Sequence, residues 1–121
     1  MTQLSTKAQQ QRIHMLAKQN NKEENDLRKM IAAITHQRTE STKQMTCYHA
    51  KALIAYLEDK LDRKRKRVIA NLKTTGMSMD EIHAWVLQQK HKKHLNEHTS
   101  QELSQLIYAA EKVKNHYYSK I

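Results

Sequence analysis

The sequence predicts an all-α protein: two small three-helix units in tandem, the second with a helix-turn-helix-like corner, joined by a long basic helix. The chain of 121 residues contains no proline and one glycine, so it lacks residues that tight hairpins use. Lys, Gln, Ala, Leu and Glu are abundant and favour helix. Apolar residues also recur at helical spacing along most of the chain.

Capping signals predict the first two helices. Thr6 and Gln9 form a capping box, which opens a helix over 6–19. Asn21 and the glutamate three residues later repeat this pattern and predict a second helix over 22–35.

The middle of the chain combines a long loop with a long helix. Residues 36–45 are polar and aperiodic, which predicts the longest loop. Thr46 then caps a third helix. No helix breaker lies between Cys47 and Thr74, so this segment forms either one long helix or two parts with a bend near 59–63.

The second half repeats the same signals. Gly76 suits the left-handed position that ends a helix. Ser78 and Thr99 each precede a glutamate by three residues, which predicts helices over 79–90 and from Thr99 to about Tyr118. We expect their inward-facing residues to be Ile82, Trp85, Val86, Leu103, Leu106, Ile107, Ala110 and Val113.

These segments resemble a tandem repeat. Matching caps and apolar positions in the two halves are separated by 53 to 56 residues, as in Thr46 with Thr99, Leu27 with Ile82, and Ile13 with Ile69. We therefore predict an N-terminal three-helix unit over 1–59 and a C-terminal helix-turn-helix-like unit over 60–121. One compact domain is the alternative.

Positive charge is concentrated in residues 60–93. The chain has a formal net charge of +10 and a pI near 9.8, and this segment holds ten Lys or Arg against three acidic residues. Such a local excess favours an anionic partner, with nucleic acid first. The alternative is a solvated linker helix. The predicted phosphate contacts are Lys60, Arg63, Lys64, Arg65, Lys66, Arg67, Lys73, Lys90, Lys92 and Lys93.

The glycine turn between two apolar stripes is typical of a DNA-binding helix-turn-helix. The helix after Ser78 would then enter the major groove, with Ser78 and His83 as contacts. Asp80 and Glu81 favour the other interpretation, an ordinary αα corner, because they would repel phosphates at the start of that helix.

Catalysis, metal binding and membrane insertion find no support in the sequence. No glycine-rich phosphate loop or catalytic triad is present, so we predict a non-enzymatic protein without a cofactor. His91, His94 and His98 have no nearby cysteine, which favours a polar loop over a metal site. A lone Cys47 excludes an intrachain disulfide. Because no apolar run approaches the length of a membrane span, we expect a soluble intracellular protein.

The aromatic residues leave more than one interpretation open. Trp85 falls on the apolar stripe, which favours a core position over a base-stacking one. Tyr117 and Tyr118 form either a partner contact or a fraying helix end.

Short motifs in both halves of the chain carry a family resemblance: Thr6-Lys7-Ala8-Gln9, Ile13-His14, Leu16-Ala17-Lys18, Arg28, Met30-Ile31, Thr46, Leu53-Ile54, Leu57, Gly76, Ile82, Ala84-Trp85-Val86, Thr99, Glu102-Leu103 and Leu106-Ile107. With these motifs the chain resembles GemA-like regulatory proteins of Mu-type bacteriophages. The resemblance implies an early phage or prophage protein that acts on host gene expression or DNA topology in the bacterial host cytoplasm, at the nucleoid if it binds DNA. It supplies no catalytic residues.

This chain departs from the family pattern in two ways. Its polar loop lacks the glycine often found after the second helix, and its linker is densely basic. The basic linker favours DNA binding. The rival hypothesis is an adaptor that binds a host protein such as a topoisomerase or transcription component. RNA binding is a third, which a scarcity of exposed aromatic residues disfavours.

Overall fold

Helices dominate the chain. The computed structural model describes residues 3–120 and contains α1 (Lys7–Gln19), α2 (Glu24–Ile34), α3 (Cys47–Lys73), α4 (Met79–Leu87) and α5 (Ser100–Ser119). Two short 3₁₀ turns span Thr42–Gln44 and Leu95–Glu97. Over this range no strand forms, apart from an isolated antiparallel bridge between Leu4 and Thr46. The predicted all-α class is confirmed.

The chain divides into two compact units, Met1–Lys60 (unit 1) and Leu61–Ile121 (unit 2), and α3 supplies residues to both. Each unit has its own buried apolar residues. Those of unit 1 include Ile13, Leu16, Leu27, Ile31, Met45, Leu53 and Leu57. Those of unit 2 include Leu61, Val68, Leu72, Ile82, Val86, Leu103, Leu106 and Ala110.

The start of α1 follows the prediction, but the predicted start of α2 is wrong. Thr6 and Gln9 exchange both capping-box hydrogen bonds, at 2.9 and 3.1 Å. Asn21 does not cap α2. It adopts a φ of 58° in the turn after α1, and α2 begins at Glu24 instead. Asparagine tolerates this left-handed conformation, so the residue serves the end of one helix and not the start of the next.

The predicted polar loop of 36–45 contains buried anchors. Met45 is fully buried and Thr42 nearly so, although the sequence pattern marked neither as a core residue. His36 and Gln37 adopt φ values of 56° and 68°, in the region that glycine prefers. Thr46 then caps α3 by accepting a 3.1 Å hydrogen bond from the backbone N–H of residue 49.

The turn after α3 contains Gly76 with a φ of 87°. A Cβ at this position would meet no atom within 4 Å, so backbone conformation and not space favours glycine here. The Ser78 capping box opens α4 as predicted, but α4 ends at Leu87 and not at 90. The reason is that the N–H of Gln88 bonds to the carbonyl of Trp85, which closes the helix with a tighter turn.

The predicted inward face of the second half is partly wrong. Trp85, Ile107 and Val113 are only half-buried, while the other five predicted residues are buried. α5 begins after Thr99, as its capping box predicts, and extends to Ser119. No helix within residues 3–120 is both long and apolar enough to cross a membrane.

Candidate nucleic-acid interface

The part of α3 in unit 2 presents cations on the side opposite its buried residues. Arg63, Lys66 and Lys73 are exposed, whereas Leu61 and Val68 are fully buried. Helical geometry places the three cations on one face, spread over about 15 Å of helix axis. From 63 to 73 the sequence contains no acidic residue. This exposed basic face could meet several phosphates at once.

Lys64 and Arg65 are used inside unit 2. The Lys64 Nζ donates to the Ser100 carbonyl and Oγ and to the Ser104 Oγ at 3.1, 2.7 and 2.8 Å. Arg65 donates to Asp62 at 2.9 Å and to the carbonyl of Asn96 at 3.2 Å. Both residues flank the buried face of α3, and their hydrogen bonds link α3 to α5 and to the 3₁₀ turn Leu95–Glu97. Both side chains are therefore hydrogen-bonded within unit 2, and their predicted phosphate contacts stay a prediction.

Arg67 and Lys60 have intermediate positions. Arg67 pairs with Glu111 at 3.1 Å, but its side chain is 66% exposed. Such surface pairs contribute little to stability and exchange readily for another anion. Lys60 belongs to unit 1, where its Nζ lies 5.0 Å from the centroid of the Tyr56 ring.

The predicted contacts Lys90, Lys92 and Lys93 also include both exposed and hydrogen-bonded lysines. Lys90 and Lys92 are exposed, and Lys92 has a φ of 52°. Lys93 instead donates to both carboxylate oxygens of Glu102, at 3.0 and 3.1 Å. Of these three lysines, Lys90 and Lys92 are therefore the two exposed ones.

Glu102 is the centre of the polar contacts around Lys93. Its Oε1 accepts from the N–H of Thr99 at 2.9 Å, and its Oε2 lies 3.1 Å from the His91 Nδ1. The Thr99 hydrogen bond, with Lys93 and His91, lowers the pKa of Glu102 from 4.5 to about 2. Sequence analysis identified Glu102 only as a capping residue, because its other partners depend on how a loop folds.

The start of α4 is not suited to phosphate. Ser78 Oγ accepts from the N–H of Glu81 at 3.2 Å, and hydrogen bonds from Ser78 lower the pKa of the Glu81 carboxyl. Asp80 adds a second acid in the same turn. His83 is exposed and lines a surface groove of about 790 Å³ with Arg65, His94, Leu95, Asn96 and Glu97.

Three histidines of the second half, His91, His94 and His98, differ in burial. His98 is fully buried, and its Nδ1 lies 2.8 Å from the carbonyl of His94. His91 lies beside it, with ring centroids 6.1 Å apart. Among residues 3–120, no group of three His, Cys, Asp or Glu is placed to hold a metal ion.

Sequence analysis underestimated the exposed aromatic surface. All five tyrosines of the chain are exposed, from 41% to 77%. Two of them, Tyr56 and Tyr108, carry a lysine four residues later whose Nζ lies over the ring. This i, i+4 spacing was visible in the sequence and could have identified both pairs.

Comparisons of the chain with protein-family models, curated proteins and solved structures find no match. The resemblance to GemA-like proteins stays a prediction.

Proposed function

We propose that this protein is a non-enzymatic regulator that binds duplex DNA through its phosphate backbone, using unit 2. The observation that carries the proposal is the exposed basic face of α3, formed by Arg63, Lys66 and Lys73 without an intervening acid. Lys90 and Lys92 add exposed charge in the same unit. Phosphate contacts of this kind supply affinity and depend steeply on salt.

We propose that contacts with base edges contribute little to binding. In a DNA-binding helix-turn-helix the residues at the start of the second helix reach base edges. Here that start carries Asp80 and Glu81, whose charges oppose close approach to phosphates. The proposed contacts are therefore with the backbone, and the proposed sequence preference is small.

We also propose that units 1 and 2 are repeats of one three-helix design. Each has a residue with positive φ before its short helix, a second one after it, a 3₁₀ turn, and a threonine-capped long helix. The corresponding pairs, in that order, are Asn21 with Gly76, Gln37 with Lys92, Thr42–Gln44 with Leu95–Glu97, and Thr46 with Thr99.

Buried and charged positions support the same correspondence. Met45 and His98, each one residue before the capping threonine, are both fully buried. Unit 1 contains an ion pair between Arg12 of α1 and Glu58 of α3, and unit 2 contains one between Arg67 and Glu111. Because these features lie 53 or 55 residues apart, they fit the spacing of the sequence repeat.

A second candidate function, binding of a host protein, is favoured by a groove in unit 1. This groove of about 480 Å³ is lined by Met30, Ile34 and Tyr56, and also by Lys22 and Lys60. Such a surface suits a partner with apolar and acidic groups. An adaptor of this kind would bind its partner without any affinity for DNA.

Replacing the three exposed cations tests DNA binding. In the variant Arg63→Gln, Lys66→Gln, Lys73→Gln, we expect weaker binding to mixed-sequence duplex, measured by fluorescence anisotropy. The slope of log affinity against log salt should fall by about one per residue, about three in total. A matched control removes three exposed cations of unit 1 by Lys18→Gln, Lys29→Gln and Lys51→Gln.

The control separates a specific face from net charge. If both triple variants lose affinity equally, the exposed basic face of α3 has no special role. Unchanged affinity in the unit 2 variant would remove the proposal. Binding of a host protein by a chain with no affinity for DNA would favour the adaptor.

A further inference from the structure

A second groove in unit 2 combines arginines with an exposed aromatic ring. It lies along α3 and α5, encloses about 390 Å³, and is lined by Arg63, Lys64, Arg67, Ser104, Ile107, Tyr108 and Glu111. The Tyr108 ring is 62% exposed. The groove therefore offers charge for a phosphate and a flat surface for a base, side by side.

We propose that this groove binds an unpaired nucleotide of a single strand, with its base stacked on Tyr108 and the adjoining phosphates held by Arg63 and Arg67. The inference rests on the proposed function, since it assumes that unit 2 binds nucleic acid. It adds a preference for strands with unpaired bases, which a duplex does not offer to a tyrosine.

The surroundings of Tyr108 suit this role. Lys112 Nζ lies over the ring, 4.5 Å from its centroid, so it adds positive charge close to Tyr108 and has to move aside for a base that stacks on the same face. Tyr108 also lies off the buried stripe of α5, where Leu106 and Ala110 are the core residues. A large aromatic residue at such an exposed position contributes little to the core and is available for stacking.

The other polar groups in the groove decide how an anion would bind. Lys64 is held by Ser100 and Ser104, so it adds charge without changing its hydrogen bonds. The Arg67 guanidinium donates a 3.1 Å hydrogen bond to the Glu111 carboxylate. A bound phosphate would take the place of Glu111 as the partner of Arg67, so Glu111 competes with the nucleic acid.

Substitutions at Tyr108 test the inference. The probes are fluorescent oligothymidylate and oligouridylate of about 16 nucleotides, because DNA and RNA strands share the same stacking chemistry. Tyr108→Ala should weaken binding of at least one strand about fivefold or more, the loss typical of one stacked base, and leave duplex affinity unchanged. Tyr108→Phe keeps the ring and should bind like the native protein. Tyr48→Ala is the matched control, since Tyr48 is 77% exposed in unit 1.

A second variant tests the phosphate part of the groove. Glu111→Gln removes the competing charge, and we expect it to bind the single strand more tightly than the native protein. Weaker binding by this variant would contradict the role given to Arg67.

The possible failures are distinguishable. If Tyr108→Ala binds both single strands as tightly as the native protein while duplex binding persists, the stacking site is refuted and the proposed function stands. If the native protein binds neither duplex nor single strand, both are refuted. Crosslinking of a 5-iodouracil-substituted strand gives a direct readout: recovery of the adduct on Tyr108 supports the site, and its absence from Tyr108 with adducts elsewhere overturns it.

Discussion

Replacing Glu102 by glutamine should destabilise unit 2 in a way that depends on pH. Glu102 accepts hydrogen bonds from Thr99 and Lys93 and lies beside His91. Glutamine keeps the capping oxygen, as Gln9 does at the start of α1 with a 2.9 Å hydrogen bond from Thr6. The substitution therefore removes the charge and leaves the cap in place.

The size of the effect follows from the pKa. A pKa lowered from 4.5 to about 2 sets an upper bound of about 3.5 kcal/mol, at about 1.4 kcal/mol per pKa unit. Solvent screens part of this, because the Lys93 side chain is 39% exposed, although that of Glu102 is only 15% exposed. We expect Glu102→Gln to lower the free energy of unfolding by about 1–2 kcal/mol at neutral pH.

The pH dependence has a definite sign. The folded-state pKa lies below the ordinary value of 4.5, so the ionised carboxylate stabilises the fold above that pH. This stabilisation is lost as the pH falls from 4.5 towards 2. The difference between native protein and variant should therefore shrink over this interval and vanish near its lower end.

Urea denaturation followed by the fluorescence of Trp85, the only tryptophan of the chain, measures this difference in unit 2. The control Glu40→Gln removes an exposed carboxylate from unit 1 and should have little effect. A difference below about 0.5 kcal/mol at neutral pH, within the usual range of a surface substitution, would refute the reasoning. So would a difference that persists unchanged in acid.

Three further substitutions test local geometry. Gly76→Ala, at a φ of 87°, should cost about 1 kcal/mol in chemical denaturation, and unchanged stability would contradict the strain argument. Gln37→Gly, at a φ of 68°, should raise the free energy of unfolding by about 0.5 kcal/mol in thermal denaturation, whereas a loss would mean that the side chain outweighs the strain. His98→Met copies Met45 of unit 1 and removes the 2.8 Å contact with the carbonyl of His94, so it should cost about 1–3 kcal/mol but leave unit 2 folded if the units are repeats. A circular dichroism spectrum of an unfolded chain for this variant would contradict the correspondence between Met45 and His98.

The sequence correctly predicted helix starts that depend on residues close together in the chain. The capping boxes of Thr6, Ser78 and Thr99 each depend on a residue three positions away, so a single short pattern contains all the necessary information. Asn21 was misread because asparagine favours both a helix N-cap and a left-handed turn. Only the chain path after α1 distinguishes the two.

Contacts between residues that are distant along the chain could not be predicted from the sequence. Lys64 looked like any other member of the basic run, but its partner Ser100 lies 36 residues away. Lys93 and Glu102 are nine residues apart across a 3₁₀ turn that has no strong sequence signal. Three of the ten cations of residues 60–93, Lys64, Arg65 and Lys93, are both hydrogen-bonded within unit 2 and only partly exposed, and burial and hydrogen bonding are needed to tell them from the exposed ones.

The most direct test of DNA binding is a titration of the native protein with mixed-sequence duplex over a range of salt concentrations. The proposed interface consists of five exposed cations of unit 2: Arg63, Lys66, Lys73, Lys90 and Lys92. If three to five of them neutralise phosphates, log affinity should fall against log salt with a slope of about −3 to −4.5. Absence of binding at about 50 mM salt, or a slope near zero, would contradict the account.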